Sequence, residues 1–144
     1  MPRVRVAAAV VRNGRILVVK HEKQNGPYWL LPGGGLEPGE PIPEALKREL
    51  REEACVEVEP GAPLMIVDSI WPDGGRHIVN LTFRAEWISG EPEVGTDDAV
   101  HDVRFMSFDE LRSVTFHPDV ADELIEALES KAGVRYVRAS WKEY

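Results

Sequence analysis

Residues 31–56, LPGGGLEPGEPIPEALKRELREEACV, constrain the fold more than any other stretch of this chain. A short apolar segment runs into Pro-Gly-Gly-Gly and then into a helical pattern from Glu40 to Ala54. Leu46, Leu50 and Ala54 recur at i, i+4 and i+8, which gives that helix one stripe to bury. Pro41 and Pro43 are compatible with it only in or before the first turn, where the missing N–H costs nothing. Glu49, Glu52 and Glu53 stand three and four residues apart and share one side of the helix. Like charges at those spacings repel by roughly a few tenths of a kcal/mol per pair, so an ordinary solvated helix gains nothing by collecting them. The pattern calls for a positive charge that the neighbouring residues do not supply.

The rest of the composition bounds the answer. At 144 residues, 43% hydrophobic and 29% charged, the chain has the size and make-up of one globular domain, taken here as residues 1–144. No apolar run approaches the roughly 20 residues that span a bilayer, so no membrane is expected as a partner. The opening MPRVRVAAAVVRNGR has a basic then apolar character, but Arg5 interrupts it and it runs into the alternating RILVVK; it reads as a strand, not a leader. One cysteine, Cys55, allows no internal disulfide and fits a reducing compartment, so the cytoplasm is the expected location. With 25 acidic against 17 basic residues the net charge is −8, which disfavours binding to a nucleic-acid polymer. A small anionic substrate would need local arginines, backbone N–H groups or a bound cation.

Along the chain, 4–12 and 15–22 are β-branched runs joined by Asn13-Gly14, a two-residue hairpin signal. YWLL (28–31) reads as a short strand, and 63–71 and 77–87 as two more. An acidic loop, 88–102, precedes the strand VRFMSF. Ser107 and Glu110 have the spacing of a capping box that opens a brief helix. Pro118 to Ser130 reads as a second amphipathic helix closed by Gly133, and the tail 134–144 as a strand or ordered arm. Strands, a helix, more strands and then further helices argue for a mixed α/β sandwich with helices outside the sheet.

Three consecutive glycines between strand and helix allow unusual backbone conformations and a close approach of ligand to main chain. By itself such a run is most often a plain turn, but this one leads directly to the clustered carboxylates. Several carboxylates and a carbonyl form an oxygen-only donor set, suited to Mg²⁺ or Mn²⁺. Histidines 21, 77, 101 and 117 are too scattered for a zinc site. Arg48 is placed to grip a carboxylate by a bidentate pair, and Glu40, eight residues earlier, is a second partner for it. A charged helix laced with salt bridges would explain Glu44 and Lys47 but not three acids on one side.

The spacing Gly34, five residues, Glu40, seven residues, Arg48-Glu49-Leu50, one residue, Glu52-Glu53, one residue, Cys55-Val56 resembles the box of the Nudix hydrolases. The likeness implies a Nudix-type α/β/α sandwich with a mixed sheet and a loop–helix active site. It implies Mg²⁺- or Mn²⁺-dependent hydrolysis of the diphosphate linkage of a nucleoside diphosphate joined to another group, ADP-ribose-like or a nucleoside triphosphate. Carried over by position, Gly33, Glu49, Glu52 and Glu53 are metal ligands, and Arg48 orients a glutamate with Glu40 in support. The loop acids Asp98 first and Asp97 second are candidate bases, while Gly34, Gly35, Arg84 and Tyr28 are candidate substrate contacts. The expected partner is a small nucleotide, acted on by a monomer or homodimer. The alternatives in the same fold are a silent nucleotide-binding regulator and a diphosphate isomerase. Cys55 stands where the family usually has glycine; keeping a left-handed conformation there would cost a cysteine about 1 kcal/mol.

Overall fold

The computed structural model describes residues 1–139. In chain order it contains β1 (Arg3–Arg12), β2 (Arg15–Lys23), β3 (Gly26–Leu30), β4 (Gly33–Gly35), α1 (Ile42–Ala54), β5 (Glu57–Ile70) and β6 (His77–Ser89). β7 (Asp102–Ser107), α2 (Phe108–Ser113), α3 (Ala121–Glu129) and β8 (Arg135–Arg138) follow. Asn13 and Gly14 both take positive φ, 54° and 73°, as a two-residue turn that matches strand twist requires. Beyond that turn β1 and β2 pair only through Val11–Ile16 and Arg12–Arg15 and then part. β1 continues between β4 and β6, and β2 between β3 and β7. The main path of the sheet is β3-β2-β1-β6-β5-β8; β1 runs parallel to β6 and β5 parallel to β8, so the sheet is mixed.

β1 explains the layering. Val6, Ala7, Ala8, Ala9 and Val10 are each at most 5% exposed, so both faces of this strand are covered. Val6, Ala8 and Val10 pack with Leu46, Leu50 and Ala54 of α1, the stripe read from the sequence. Ala7 and Ala9 turn the other way, toward Leu124 and Ile125 of α3 and Leu111 of α2. The small side chains let helices approach both faces closely, and the result is the expected α/β/α sandwich with a mixed sheet.

Boundaries moved at α1, β5 and α3. α1 begins at Ile42 instead of Glu40, with Pro41 as its N-cap. β5 begins at Glu57, ahead of the expected Pro63, because register shifts around Pro60 and Pro63 absorb residues that cannot donate to the ladder. α3 begins at Ala121 instead of Pro118: residues 115–117 are held along β3 by the Trp29 N–H to Thr115 carbonyl bond and the His117 N–H to Trp29 carbonyl bond. It ends at Glu129 with Ser130 as its cap, so Gly133 closes nothing. Of the tail, Arg135–Arg138 pairs with β5, and residues 140–144 lie outside the described residues. Ser107 does cap α2, its Oγ accepting the Glu110 N–H at 3.1 Å.

Candidate functional site

The glycine run is a strand, not a turn. β4 pairs antiparallel with β1 through Gly33–Ala7, Gly34–Val6 and Gly35–Arg5, and none of the three has a positive φ. Close approach is what excludes a side chain. A Cβ on Gly33 would lie 2.0 Å from the Val6 carbonyl oxygen, and one on Gly34 would lie 2.4 Å from Oε1 of Glu49. Gly35 faces open space. The helix carboxylates are thus seated directly against the bare main chain of β4.

Glu53 is 2% exposed and its Oε1 accepts the Gly33 N–H at 2.7 Å. Burial pushes its pKa up to about 8, with Glu49 and Asp97 adding to the rise and the Gly33 bond and Arg5 opposing it. Glu49, 8% exposed, is also raised by burial, against the pull of Arg48. Glu52 is half-exposed at the helix surface. Arg48 holds the set together, but its two-pronged grip falls on Glu40 and not on Glu49, Glu52 or Glu53. Nε donates to Glu40 Oε2 at 2.7 Å and Nη2 to Oε1 at 2.9 Å, while Nη1 reaches Glu49 at 3.0 Å and Glu52 at 3.3 Å. That grip holds the Glu40 carboxyl below its ordinary range.

Among the described residues no three His, Cys, Asp or Glu side chains already converge as a metal cage. Glu49 and Glu52 lean on Arg48, Glu53 on the Gly33 N–H, and the Gly33 carbonyl accepts Arg5 Nη2 at 3.3 Å. The donors nevertheless fit a hard divalent cation. They are all oxygens, and two of them are carboxylates buried at a desolvation cost that an adjacent cation would offset.

The acidic loop is anchored, in contrast to the mobile segment its Gly95 and adjacent acids suggest. Glu93 N–H donates to the Ala54 carbonyl at 3.2 Å and Thr96 N–H to the Glu52 carbonyl at 2.9 Å, so the loop satisfies orphan carbonyls at the end of α1. A Cβ on Gly95 would fall 2.1 Å from that same Glu52 oxygen. Cys55 does keep the left-handed conformation, φ 57°, and the Val56 N–H returns to the Leu50 carbonyl. The two loop acids differ in their surroundings. Asp97, half-buried, acts electrostatically on both Glu53 and His21, whereas Asp98 is exposed. The turn is set by Asp97 Oδ1, which accepts the Ala99 N–H at 2.9 Å.

Beside Gly33 lies a cleft of about 190 Å³ lined by Arg5, His21, Tyr28, Ser69, Asn80 and His117. Tyr28 is one wall of this cleft, its hydroxyl 3.3 Å from His21 Nδ1. Arg5 was not among the expected contacts. It links Asn80 Oδ1 to the Gly33 carbonyl, and its one signal in the sequence is a charge inside an apolar strand. Arg84 is a correction. Its guanidinium donates to the carbonyls of Ala127 at 2.9 Å and Ser130 at 3.2 Å, capping the end of α3 and away from the carboxylates.

The chain matches the NUDIX domain family over residues 1–128. It is 30% identical over 118 residues to the ADP-ribose pyrophosphatase of Methanocaldococcus jannaschii, covering 80% of this chain and 68% of the relative. It is 30% identical over 123 residues to the nucleoside triphosphatase NudI of an Enterobacter species, covering 81% of this chain and 76% of the other. In three dimensions it resembles a NUDIX hydrolase from Nitrosomonas europaea, with a TM-score of 0.80 at 26% identity, over 90% of this chain and 89% of that one.

Proposed function

Since the chain belongs to the Nudix hydrolase family, we propose that it hydrolyses the diphosphate linkage of a nucleoside diphosphate joined to a further group, in a reaction that needs Mg²⁺ or Mn²⁺. The substrate is ADP-ribose-like or a nucleoside triphosphate, the two kinds of activity carried in the names of its relatives. The observation that carries this reading is the burial of Glu49 and Glu53 against the bare backbone of Gly33 and Gly34.

Glu53, Glu49 and Glu52, with the Gly33 carbonyl, would hold the metal. When bound, it supplies charge neutralisation for the diphosphate and lowers the pKa of water. The protein's own part is largely positioning. Arg48, itself fixed by both prongs on Glu40, sets the carboxylates of Glu49 and Glu52. Gly34 and Gly35 leave the main chain open beside the diphosphate, and Arg5 and Tyr28 line the adjoining cleft. Asp97, rather than Asp98, is our choice for the loop carboxylate that takes a proton from water, because the loop anchors on α1 hold it in electrostatic reach of Glu53.

The test is release of phosphate, through a coupling enzyme, from ADP-ribose, nucleoside triphosphates and dinucleoside polyphosphates, with Mg²⁺, with Mn²⁺ and with chelator. We expect metal-dependent turnover of at least one class. Asp97→Asn should lower kcat more than KM and more than Asp98→Asn does. Lack of turnover across the panel would leave a nucleotide-binding regulator as the reading.

A further inference from the structure

The small cleft beside Gly33 adjoins a larger one, about 630 Å³, and the two share Tyr28, Ile78 and His117 in their walls. Arg3, Lys23 and Arg76 stand around the larger cleft, with Trp71 and His77. Among the described residues no Asp or Glu lines it. This is unexpected in a chain with 25 acids and 17 bases. Among the described residues Arg3, Lys23 and Arg76 close no ion pair, whereas Arg12, Lys47, Arg51, Arg104 and Arg135 each close one. The acids near these cations already have partners: Glu22, next to Lys23, pairs with Lys20 at 3.9 Å, Asp68 accepts from His77 in the cleft wall and from Tyr136, and Asp73 Oδ1 accepts the Gly75 N–H. The three cations come from the start of β1, the end of β2 and the turn between β5 and β6, so the chain fold alone brings them together.

We propose that this outer cleft is an anion subsite, and that the natural substrate carries a phosphate monoester on the part of the molecule remote from the diphosphate. The proposal rests on the reading above that the diphosphate lies over the carboxylates of α1. Each chamber then has its own chemistry. The acidic face of α1 works with cations at the diphosphate. The inner cleft offers neutral polar groups: the Ser69 hydroxyl, 7% exposed, and His21 Nε2 are both buried without a hydrogen-bond partner among the described residues. Burial also lowers the pKa of His21, which keeps that ring neutral at pH 7. Such groups suit sugar hydroxyls, which both donate and accept. Past them, a second anion would meet three cations that no carboxylate of the described residues pairs. Its recognition would cost little desolvation at the half-open mouth while gaining charge-assisted hydrogen bonds. Trp71, with the Arg76 guanidinium 5.4 Å above its ring, adds a flat wall.

The experiment compares kcat/KM for ADP-ribose, ADP-ribose 2′-phosphate and ADP-ribose 1″-phosphate, which place the extra monoester at opposite ends of the molecule. One phosphorylated form should be preferred over ADP-ribose by tenfold or more. In Lys23→Ala/Arg76→Ala that ratio should fall to near one. In Arg15→Ala, which removes an exposed cation at the opposite end of β2, the ratio should persist and so exclude a general charge effect. Calorimetric binding of the same three compounds in chelator gives a readout that does not need turnover, and should show the same ranking. Equal turnover and equal binding of all three would overturn the subsite while leaving the hydrolase reading intact. Phosphate-dependent binding without any turnover would do the reverse. A preference that survives the double substitution would also overturn the proposal.

Discussion

α1 and α3 lie on opposite faces of one sheet, and both are amphipathic and acid-rich, yet they treat their acids in opposite ways. On α3, Asp122, Glu126 and Glu129 are exposed, and two of them meet arginines at the surface, Arg112 at 3.4 Å and Arg135 at 3.1 Å. Such pairs contribute roughly 0.2–1 kcal/mol each and serve mainly solubility. On α1, Glu49 and Glu53 are pressed against β4 at 8% and 2% exposure. A carboxylate so placed costs stability unless a cation arrives. The same residue type on the same kind of element is therefore a solvating group on one face and a sheltered carboxylate on the other, which the proposed function makes a metal ligand. The helix ends differ too: a side chain, Arg84, caps α3, and a backbone loop caps α1.

The sharpest way to break this comparison is to neutralise one acid on each face. Glu53→Gln should lower kcat by at least about a hundredfold, on the order of 2.7 kcal/mol in the barrier. Glu126→Gln should leave kcat unchanged. Without metal, Glu53→Gln should be no less stable than the wild type, because Oε1 still accepts the Gly33 N–H and a buried charge is gone. Thermal melting with and without Mg²⁺ checks the other half: the metal should raise the melting temperature of the wild type and not that of Glu53→Gln. A fully active Glu53→Gln would erase the distinction between the two helices.

Arginines test the contrast next. Arg48→Lys keeps the charge but loses the fork that engages Glu40 while sparing Nη1 for Glu49 and Glu52. We expect a loss of roughly tenfold or more in kcat, about 1.4 kcal/mol. Arg135→Lys, at the α3 surface pair, should change neither kcat nor stability measurably. Equal kcat in Arg48→Lys and wild type would make Arg48 one more surface partner.

Arg84→Ala then separates a structural role from a substrate contact. Losing the donors to the α3 carbonyls should destabilise the fold by about 1–2 kcal/mol, read from a denaturant midpoint, with kcat near that of the wild type. A normal midpoint with raised KM would restore Arg84 as a substrate contact.

That residue also shows where sequence reasoning stops. The box could be read because helical geometry is rigid: a spacing of three or four residues settles which carboxylates share a side before any fold is known. Asn13-Gly14 and Ser107 were equally legible, since each acts on backbone groups within a few residues. Arg84 meets partners more than 40 residues away, across a sheet–helix contact that no local pattern encodes. Arg5 bridges β1, β4 and β6 for the same reason. The basic cleft was invisible because its cations are single residues in three separate segments, and the absence of a basic run in the sequence argued against any such patch. Asp97 and Asp98 are not separable in the sequence, because two adjacent acids differ only by which way a turn faces them.

The smallest effect concerns the helix ends. Cys55 closes α1 at φ 57°, ψ 32°, with its N–H and that of Val56 returning to the Arg51 and Leu50 carbonyls. In that conformation a Cβ crowds the backbone, and a glycine does not. Cys55→Gly gives back part of the gain through the greater freedom of the unfolded chain, so the net stabilisation should be about 0.5–1 kcal/mol. On a domain of this size that is roughly a 2–4 °C rise in melting temperature. The matching change on the other face should have the opposite sign. Ser130 caps α3 at φ −96°, where any residue is comfortable, and its Oγ accepts the Ala132 N–H at 3.0 Å. Ser130→Gly removes that bond and adds chain entropy, so it should lower the melting temperature slightly. If Cys55→Gly lowers it as well, the left-handed cap carries no strain, and the half-buried cysteine side chain is worth more than the conformational cost.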